Sequence, residues 1–324
     1  MKTVLVTGGC GFIGSQFVRG FLESHPEWNV INLDKLTYCG NKENLRSCES
    51  HPHYHFVQGD ICDRALVDSL MPVDAVVHFA AETHVDRSIA SVDDFLMTNI
   101  IGTRVLLEAA KTHKIKRFIH ISTDEVYGSI SEGYAKENAV LLPNSPYSAS
   151  KAASDLMARA YWKTYEVPVM ITRSSNNYGP YQYPEKVIPL FITNLIEGKK
   201  VPLYGAGANR RDWVFVEDNC RAVEFVFDKG EPGEIYNIGG GKELSNLELT
   251  HAILKEMGAK QDRINLVEDR LGHDFRYGID IEKISRFGYK PRWSFTEGLK
   301  FTLQWYKDHP DWWMPLKKDR FTVK

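Results

Sequence analysis

Two clusters in this sequence carry side chains suited to moving protons. In Ile119-His120-Ile121-Ser122-Thr123-Asp124-Glu125-Val126-Tyr127-Gly128 a β-branched run, read as a strand that stops at Gly128, carries two adjacent carboxylates near its end. The carboxyl ends of strands are where open α/β sheets place ligands. A carboxyl in a drying pocket has its pKa raised while a partly solvated neighbour stays ionised, so one pair can supply an acid and a base. If the strand stays extended through Asp124 and Glu125, their side chains point to opposite sides, and a bound molecule meets both only by lying across the strand end. An acidic strand-to-loop turn is the plain alternative. The second cluster is Ser145-Pro146-Tyr147-Ser148-Ala149-Ser150-Lys151. Ser145 can cap a helix and Pro146 can take its first position, so Tyr147 and Lys151, four apart, share a face. An ammonium near a phenol favours the phenolate, bringing the tyrosine pKa down from ~10 and making it a usable base. A tyrosine and a lysine exposed on any helix is the plain alternative here.

Such groups need a scaffold, and the preceding residues supply one. A short apolar run, Thr3 to Thr7, leads into Gly8-Gly9-Cys10-Gly11-Phe12-Ile13-Gly14 and then the helical pattern Phe17, Val18, Phe21, Leu22. Strand, glycine turn and helix together form a dinucleotide-binding context: Gly8 permits the tight turn, Gly11 lets the backbone approach a pyrophosphate, and Gly14 lets helix pack on strand. The helix N-terminus offers its free N–H groups to the phosphates. A second strand, Asn29 to Leu33, ends at Asp34, whose carboxylate suits ribose hydroxyls and repels a 2′-phosphate, favouring NAD. A third, Tyr54 to Val57, closes near Asp60, within reach of an adenine. A fourth, Val73 to Phe79, ends in small residues, Ala80 and Ala81, that let a cofactor lie against the backbone. A helix from about Val92 to His113 carries Phe95, Leu96, Ile100, Val105, Leu106 and Ala109 at helical spacing, with polar Asn99 and Thr103 on other faces. Fifth and sixth strands begin at Lys116 and Val167, and the helix after Tyr147 is apolar on a broad front (Leu156, Met157, Ala160, Tyr161, Trp162), which suggests burial on two sides.

The alternation predicts an α/β fold, a Rossmann-like doubly wound parallel sheet with a smaller C-terminal α/β substrate-binding lobe. The division expected is 1–173 for the NAD-binding part and 174–324 mainly for the lobe, with some segments returning to the core. From Arg173 onward short elements rich in Pro, Gly, Asn and Arg suit a lobe assembled from loops. There Asn176 and Lys186 can bond a pyrophosphate or sugar, and the Arg211 guanidinium is a planar fork for phosphate. The tail (Phe301, Leu303, Trp305, Tyr306, Trp312, Trp313) reads as a packing helix with an aromatic anchor. The 324 residues are 43% hydrophobic and 25% charged with a net charge of -2, which gives no reason to expect nucleic acid or anionic membrane as partner. No apolar run approaches membrane-spanning length and none at the start reads as a signal peptide, so a cytoplasmic enzyme is expected. Five scattered cysteines suit free thiols. His51, His53 and His55 alternate, but no carboxylate or cysteine completes a ligand set, and no metal is expected.

T-G-G-x-G-F-I-G, an acidic end to strand two, S-T-D-E-V-Y-G and Y-x-x-x-K, in this order, resemble the extended short-chain dehydrogenase/reductases, and within them the nucleotide-sugar 4,6-dehydratases. The likeness runs through nearly the whole chain, including Ala80 to Ile89, Ser175 to Lys186, Arg211 to Trp213 and Asp269 to Asp274. It implies a lyase that holds NAD tightly and recycles it at each turnover, acting on a glucosyl nucleotide, dTDP-glucose before UDP-glucose, as a homodimer. The catalytic residues implied are Thr123, Asp124, Glu125, Tyr147 and Lys151. The cofactor contacts implied add Phe12, Ile13, Lys35, Leu36, Thr37, Ile61, Phe79, Glu82, Thr98 and Asn177 to Gly8, Gly11, Gly14, Asp34, Asp60, Ala80, Ala81, Tyr147 and Lys151. For the substrate it implies Thr83, Asp86, Thr123, Asn176, Glu185, Lys186, Val187 and Arg211, with Pro202 and Tyr204 stacking on the base and Asn246, Arg270 and His273 closing round ribose and phosphates. A nucleotide-sugar 4-epimerase or decarboxylase shares the glycine turn and Y-x-x-x-K without needing the Asp124–Glu125 pair, and a non-catalytic NAD-sensing module is the remote alternative.

Overall fold

The computed structural model describes residues 1–269 and 272–318. Its strands are β1 (Lys2–Thr7), β2 (Trp28–Asp34), β3 (Tyr54–Gln58), β4 (Ala75–His78), β5 (Arg117–Thr123) and β6 (Val169–Ser174), followed by β7 (Asn176–Tyr178), β8 (Val201–Tyr204), β9 (Arg210–Phe215), β10 (Ile235–Ile238), β11 (Glu243–Ser245) and β12 (Ile264–Val267). Seven strands form one parallel sheet in the order β10-β6-β5-β4-β1-β2-β3. The order reverses between β1 and β4, and at such a switch point a crevice opens beyond the carboxyl ends of the strands.

Both faces of this sheet are covered, which is why its strands read as apolar runs and not as alternating ones. Val4 and Val6 face the helices Phe12–Ser24 and Val216–Lys229, while Leu5 points the other way, towards Thr103–His113 and Pro146–Tyr165. The helix at Val216–Lys229 and strand β10 come from the C-terminal half of the chain. Sequence reading left Ile235–Ile238 unassigned: four residues are too few for a pattern, and its membership rests on pairing with β6. The remaining strands form a three-stranded sheet, β11-β9-β7, and a two-stranded one, β12-β8. Their core gathers Phe191, Trp213, Phe215, Trp305, Tyr306 and Trp313.

Three local predictions are corrected. Strand β5 ends at Thr123, not Gly128, and Asp124–Tyr127 is a 3₁₀ turn. The Thr123 hydroxyl caps it by accepting the Glu125 N–H at 3.2 Å, and Val126 and Tyr127 bury their side chains beyond it. The helix expected over 92–113 contains a π segment, Leu96–Gly102, ahead of Thr103–His113. One extra residue per turn rotates the face. Leu96 is consequently 42% exposed, while Asn99 and Thr103 are buried. Leu156, expected to be covered, is 56% exposed.

Candidate active site

A cleft runs across the carboxyl ends of β1, β2, β4 and β5. At one end lies the glycine turn. Gly8 has φ 71°, and a Cβ on it would sit 2.6 Å from the Ala80 backbone; on Gly14 it would sit 2.3 Å from the Gly8 carbonyl oxygen. Neither position accepts a side chain without moving main chain. Gly11 precedes the helix without a side-chain cap, so the N–H groups of its first turn face the cleft unspent. Asp34 is buried at the end of β2, accepting the Cys10 N–H at 2.9 Å and the Leu36 N–H at 2.8 Å. Leu36 itself, in the left-handed region at φ 57°, does not line the cleft and acts by supplying that N–H. Lys35 pairs with Asp60 at 2.8 Å. Phe12, Ile13, Thr37, Ile61, Phe79, Ala80, Ala81, Glu82, Thr98 and Asn177 all line the cleft, with the three glycines, Asp34, Lys35 and Asp60. The side chains of Ser122, Asp124, Asn176 and Asn177 each bring to it a buried oxygen that no group of the described chain hydrogen-bonds, as a site for a polar dinucleotide and sugar would.

The other end holds the candidate proton-moving groups. Thr123, Asp124, Glu125, Tyr147 and Lys151 line the same cleft. The 3₁₀ turn bends Asp124 inward, where it is 2% exposed, and leaves Glu125 half-buried. Burial, and then the Glu125 charge, hold the Asp124 carboxyl well above the usual carboxylate range. The Tyr277 hydroxyl lies 3.5 Å from Glu125 Oε2 and 2.8 Å from Asp274 Oδ2. Nothing near Glu125 in sequence announces Tyr277.

The cap predicted at Ser145 is present, completed by Ser148 as a capping box, with Pro146 opening the helix. It presents Tyr147 and Lys151 to the cleft, but their electrostatics differ from expectation. Burial, and then Glu125, push the Tyr147 phenol up, not down, with the Thr123 hydroxyl opposing. Lys151 gives one of its three donors to the Ile121 carbonyl at 2.6 Å, and burial lowers its pKa to about 8. Adjacent Asn99 joins the Glu82 backbone to the Ser150 hydroxyl, fixing the cleft wall to the Tyr147 helix.

The substrate candidates divide. Thr83, Asn176 and Lys186 line the cleft, with Lys186 Nζ donating to the Thr83 carbonyl at 3.2 Å. Glu185 lies 3.4 Å from Arg87 and 3.6 Å from His84, tying this edge together. Asp86 lies in the first turn of the short helix Val85–Ala90, and Val187 opens Val187–Ile196. Pro202, Tyr204, Arg211, Asn246 and His273 do not line the cleft. Pro202 and Tyr204 are on β8, and the Tyr204 and His273 rings meet edge to face at 6.2 Å. Asn246 begins the helix Asn246–Met257. The buried Arg211 guanidinium donates to the Arg210, Asp274 and Phe275 carbonyls and lies 4.1 Å over the Tyr277 ring. Arg270 lies outside the described residues.

Comparison with known proteins matches this arrangement to a family. A dTDP-glucose 4,6-dehydratase of Streptomyces niveus is 55% identical, over 97% of this chain and 95% of its own length. The crystal structure of a dTDP-glucose 4,6-dehydratase from Streptomyces venezuelae with NAD bound superposes with a TM-score of 0.95 at 53% identity, over 97% of this chain and 99% of that one. Another, from Bacillus anthracis and in complex with NAD, gives 0.91 at 47% identity, over 98% and 100%. The family described as GDP-mannose 4,6 dehydratase matches residues 5–302. A parallel sheet with its glycine turn, a Tyr–Lys helix, and sequence likeness along nearly the full length therefore agree, and the chain belongs to the GDP-mannose 4,6-dehydratase family.

Proposed function

We propose that this chain converts dTDP-glucose to dTDP-4-keto-6-deoxyglucose and water. The observation that carries the proposal is the Asp124–Glu125 pair opening on one cleft with Tyr147 and Lys151. The glycine turn, Asp34 and the unpartnered polar atoms suit a dinucleotide. Bound NAD supplies a hydride acceptor at C4 and, once reduced, the hydride that fills C6. Tyr147, as the phenolate that the Lys151 ammonium stabilises, takes the proton of the C4 hydroxyl and becomes the phenol, while Lys151 would also bond the nicotinamide ribose. Desolvation that raises Tyr147 in the free chain makes that ammonium the more important. Thr123 bonds near the C4 oxygen. The 4-ketone acidifies C5, whose proton Glu125 removes. Asp124, which burial pushes towards the neutral acid, gives its proton to the C6 hydroxyl as water leaves, and Glu125 returns a proton to C5.

Thr83, Asp86, Asn176, Glu185, Lys186 and Val187 are proposed to hold the sugar and pyrophosphate. Arg211, Asn246 and His273, with Pro202 and Tyr204, would hold the nucleotide. The partition into a cofactor part, 1–173, and a mainly substrate-binding part, 174–324, belongs to the same reading. Homodimer formation is supported by exposed apolar side chains on the paired helices, Val92, Leu96 and Met97 on one and Leu156 on the other. No helix among the described residues is long and apolar enough to cross a membrane. A cytoplasmic location is proposed on the five free thiols.

The test is to incubate the purified protein with NAD and, separately, dTDP-glucose and UDP-glucose, and to weigh the products. Loss of one water from dTDP-glucose is expected. An unchanged mass from both would refute the dehydratase, and turnover of UDP-glucose alone would move the assignment to the other base.

A further inference from the structure

We infer that Asp155 is a positioning residue for Lys151, keeping a negative charge one helical turn below the ammonium that C4 oxidation uses. Tyr147, Lys151 and Asp155 are spaced i, i+4, i+8 on the buried face of Pro146–Tyr165, and all three are 8% exposed or less. Residues four apart on a helix have Cβ atoms roughly 5–6 Å apart. The Asp155 carboxylate is fixed by Arg173 on β6, whose Nε donates to Oδ2 at 2.8 Å, and His120 Nε2 on β5 lies 3.3 Å from Oδ1. Arg173 is held in turn by donating to the Tyr127 hydroxyl at 2.9 Å and the Glu137 carbonyl at 3.1 Å.

The groups facing Lys151 make this charge necessary. Its own helix presents Tyr147 and Asp155, β4 presents His78, β5 presents His120, and β6 brings Arg173 against Asp155. Asp124 and Glu125 share its cleft from the strand end. Burial strips the proton from a lysine, and here it brings the pKa to about 8 with Asp155 opposing. Both histidines are buried and pushed towards the neutral form, so neither repels the ammonium strongly. Asp155 is therefore the anion within this buried layer that retains the lysine's charge; acting directly on Tyr147 it raises the phenol, so its service to the phenolate runs through Lys151 alone.

The inference rests on the proposed Tyr147–Lys151 oxidation, and the experiment separates the two. Wild-type product mass tests the reaction, while the pH dependence of single-turnover cofactor reduction tests Asp155. Removing the anion lowers the Lys151 pKa, so the ammonium is lost at lower pH. For Asp155→Asn the alkaline limb of the rate profile is expected to move down by about 1–3 pH units, the shift a close opposite charge produces, with a lower rate at neutral pH. Asp155→Glu, which keeps the charge, is expected to restore the limb. Because Asp155→Asn leaves Arg173 buried without its counter-ion, the double variant Asp155→Asn/Arg173→Gln is measured beside it and is expected to move the limb in the same direction by less, since a cation is removed with the anion. An unmoved limb in a folded Asn variant, an equal displacement in Asp155→Glu, or failure of both Asn variants to fold would each overturn the inference.

Discussion

The sheet end of the cleft and the C-terminal lobe position their side chains in different ways. At the sheet end each group follows a strand or opens a helix: Asp34 ends β2, Ala80 and Ala81 follow β4, Asp124 follows β5, and Tyr147 begins a capped helix. Local geometry therefore aims them. In the lobe, aim depends on partners far away in sequence. Arg211 is held by carbonyls of residues 274 and 275, and the edge at Gln182 is held by the Tyr306 hydroxyl, itself backed by the Trp313 indole, which donates to the Tyr306 carbonyl at 2.8 Å. If the lobe holds the nucleotide as proposed, a site split in this way can keep its chemistry while the lobe varies the nucleotide, because the two halves are specified by different contacts.

The division can be broken first at the sheet end. Tyr147→Phe should lower turnover by ~10²–10⁴ or more and abolish cofactor reduction, read as absorbance on adding dTDP-glucose. Glu125→Gln should slow product formation by a similar ~10²–10⁴ yet leave that absorbance change, since C4 oxidation precedes the step it serves. If Glu125→Gln turned over like wild type, the base would lie elsewhere. In the lobe, Trp313→Ala removes a side chain that is fully buried. A stability loss of about 3–5 kcal/mol is expected in chemical denaturation, because such truncations leave a cavity. Sugar-nucleotide KM should rise with kcat little changed; a fall in kcat alone would mean the two halves are not separable.

A smaller effect distinguishes the two carboxylates. Asp124 is held above its ordinary value of 3.8 in the folded chain. Between that value and its folded pKa the native state binds more protons than the unfolded one, so stability declines as pH rises through the window. Asp124→Asn lacks this loss. Its melting temperature should exceed that of wild type at neutral pH, with the difference shrinking to nothing as pH falls below the ordinary carboxylate value. A melting difference independent of pH would mean that Asp124 is not protonated by burial.

Much of the sheet end was legible beforehand because its signals are short: glycine positions whose Cβ would strike the backbone, an acid closing β2, a serine–proline helix start. The sequence reading failed where one residue's register mattered. The π segment turned Leu96 outward and Asn99 inward, and the 3₁₀ turn replaced an extended Asp124–Glu125, because both depend on hydrogen-bond spacing that residue types do not announce. Strand β10 and Tyr277 were missed for another reason, since each finds its place only through contacts more than sixty residues away.

The order of residue types along the chain by itself determined a parallel α/β sheet, the place of the dinucleotide turn, and which side chains could act as acid and base. Tertiary structure decided the ionisation of those groups. Burial raises Asp124 and Tyr147 and lowers Lys151 through desolvation, and how far a side chain is removed from water depends on every element packed around it.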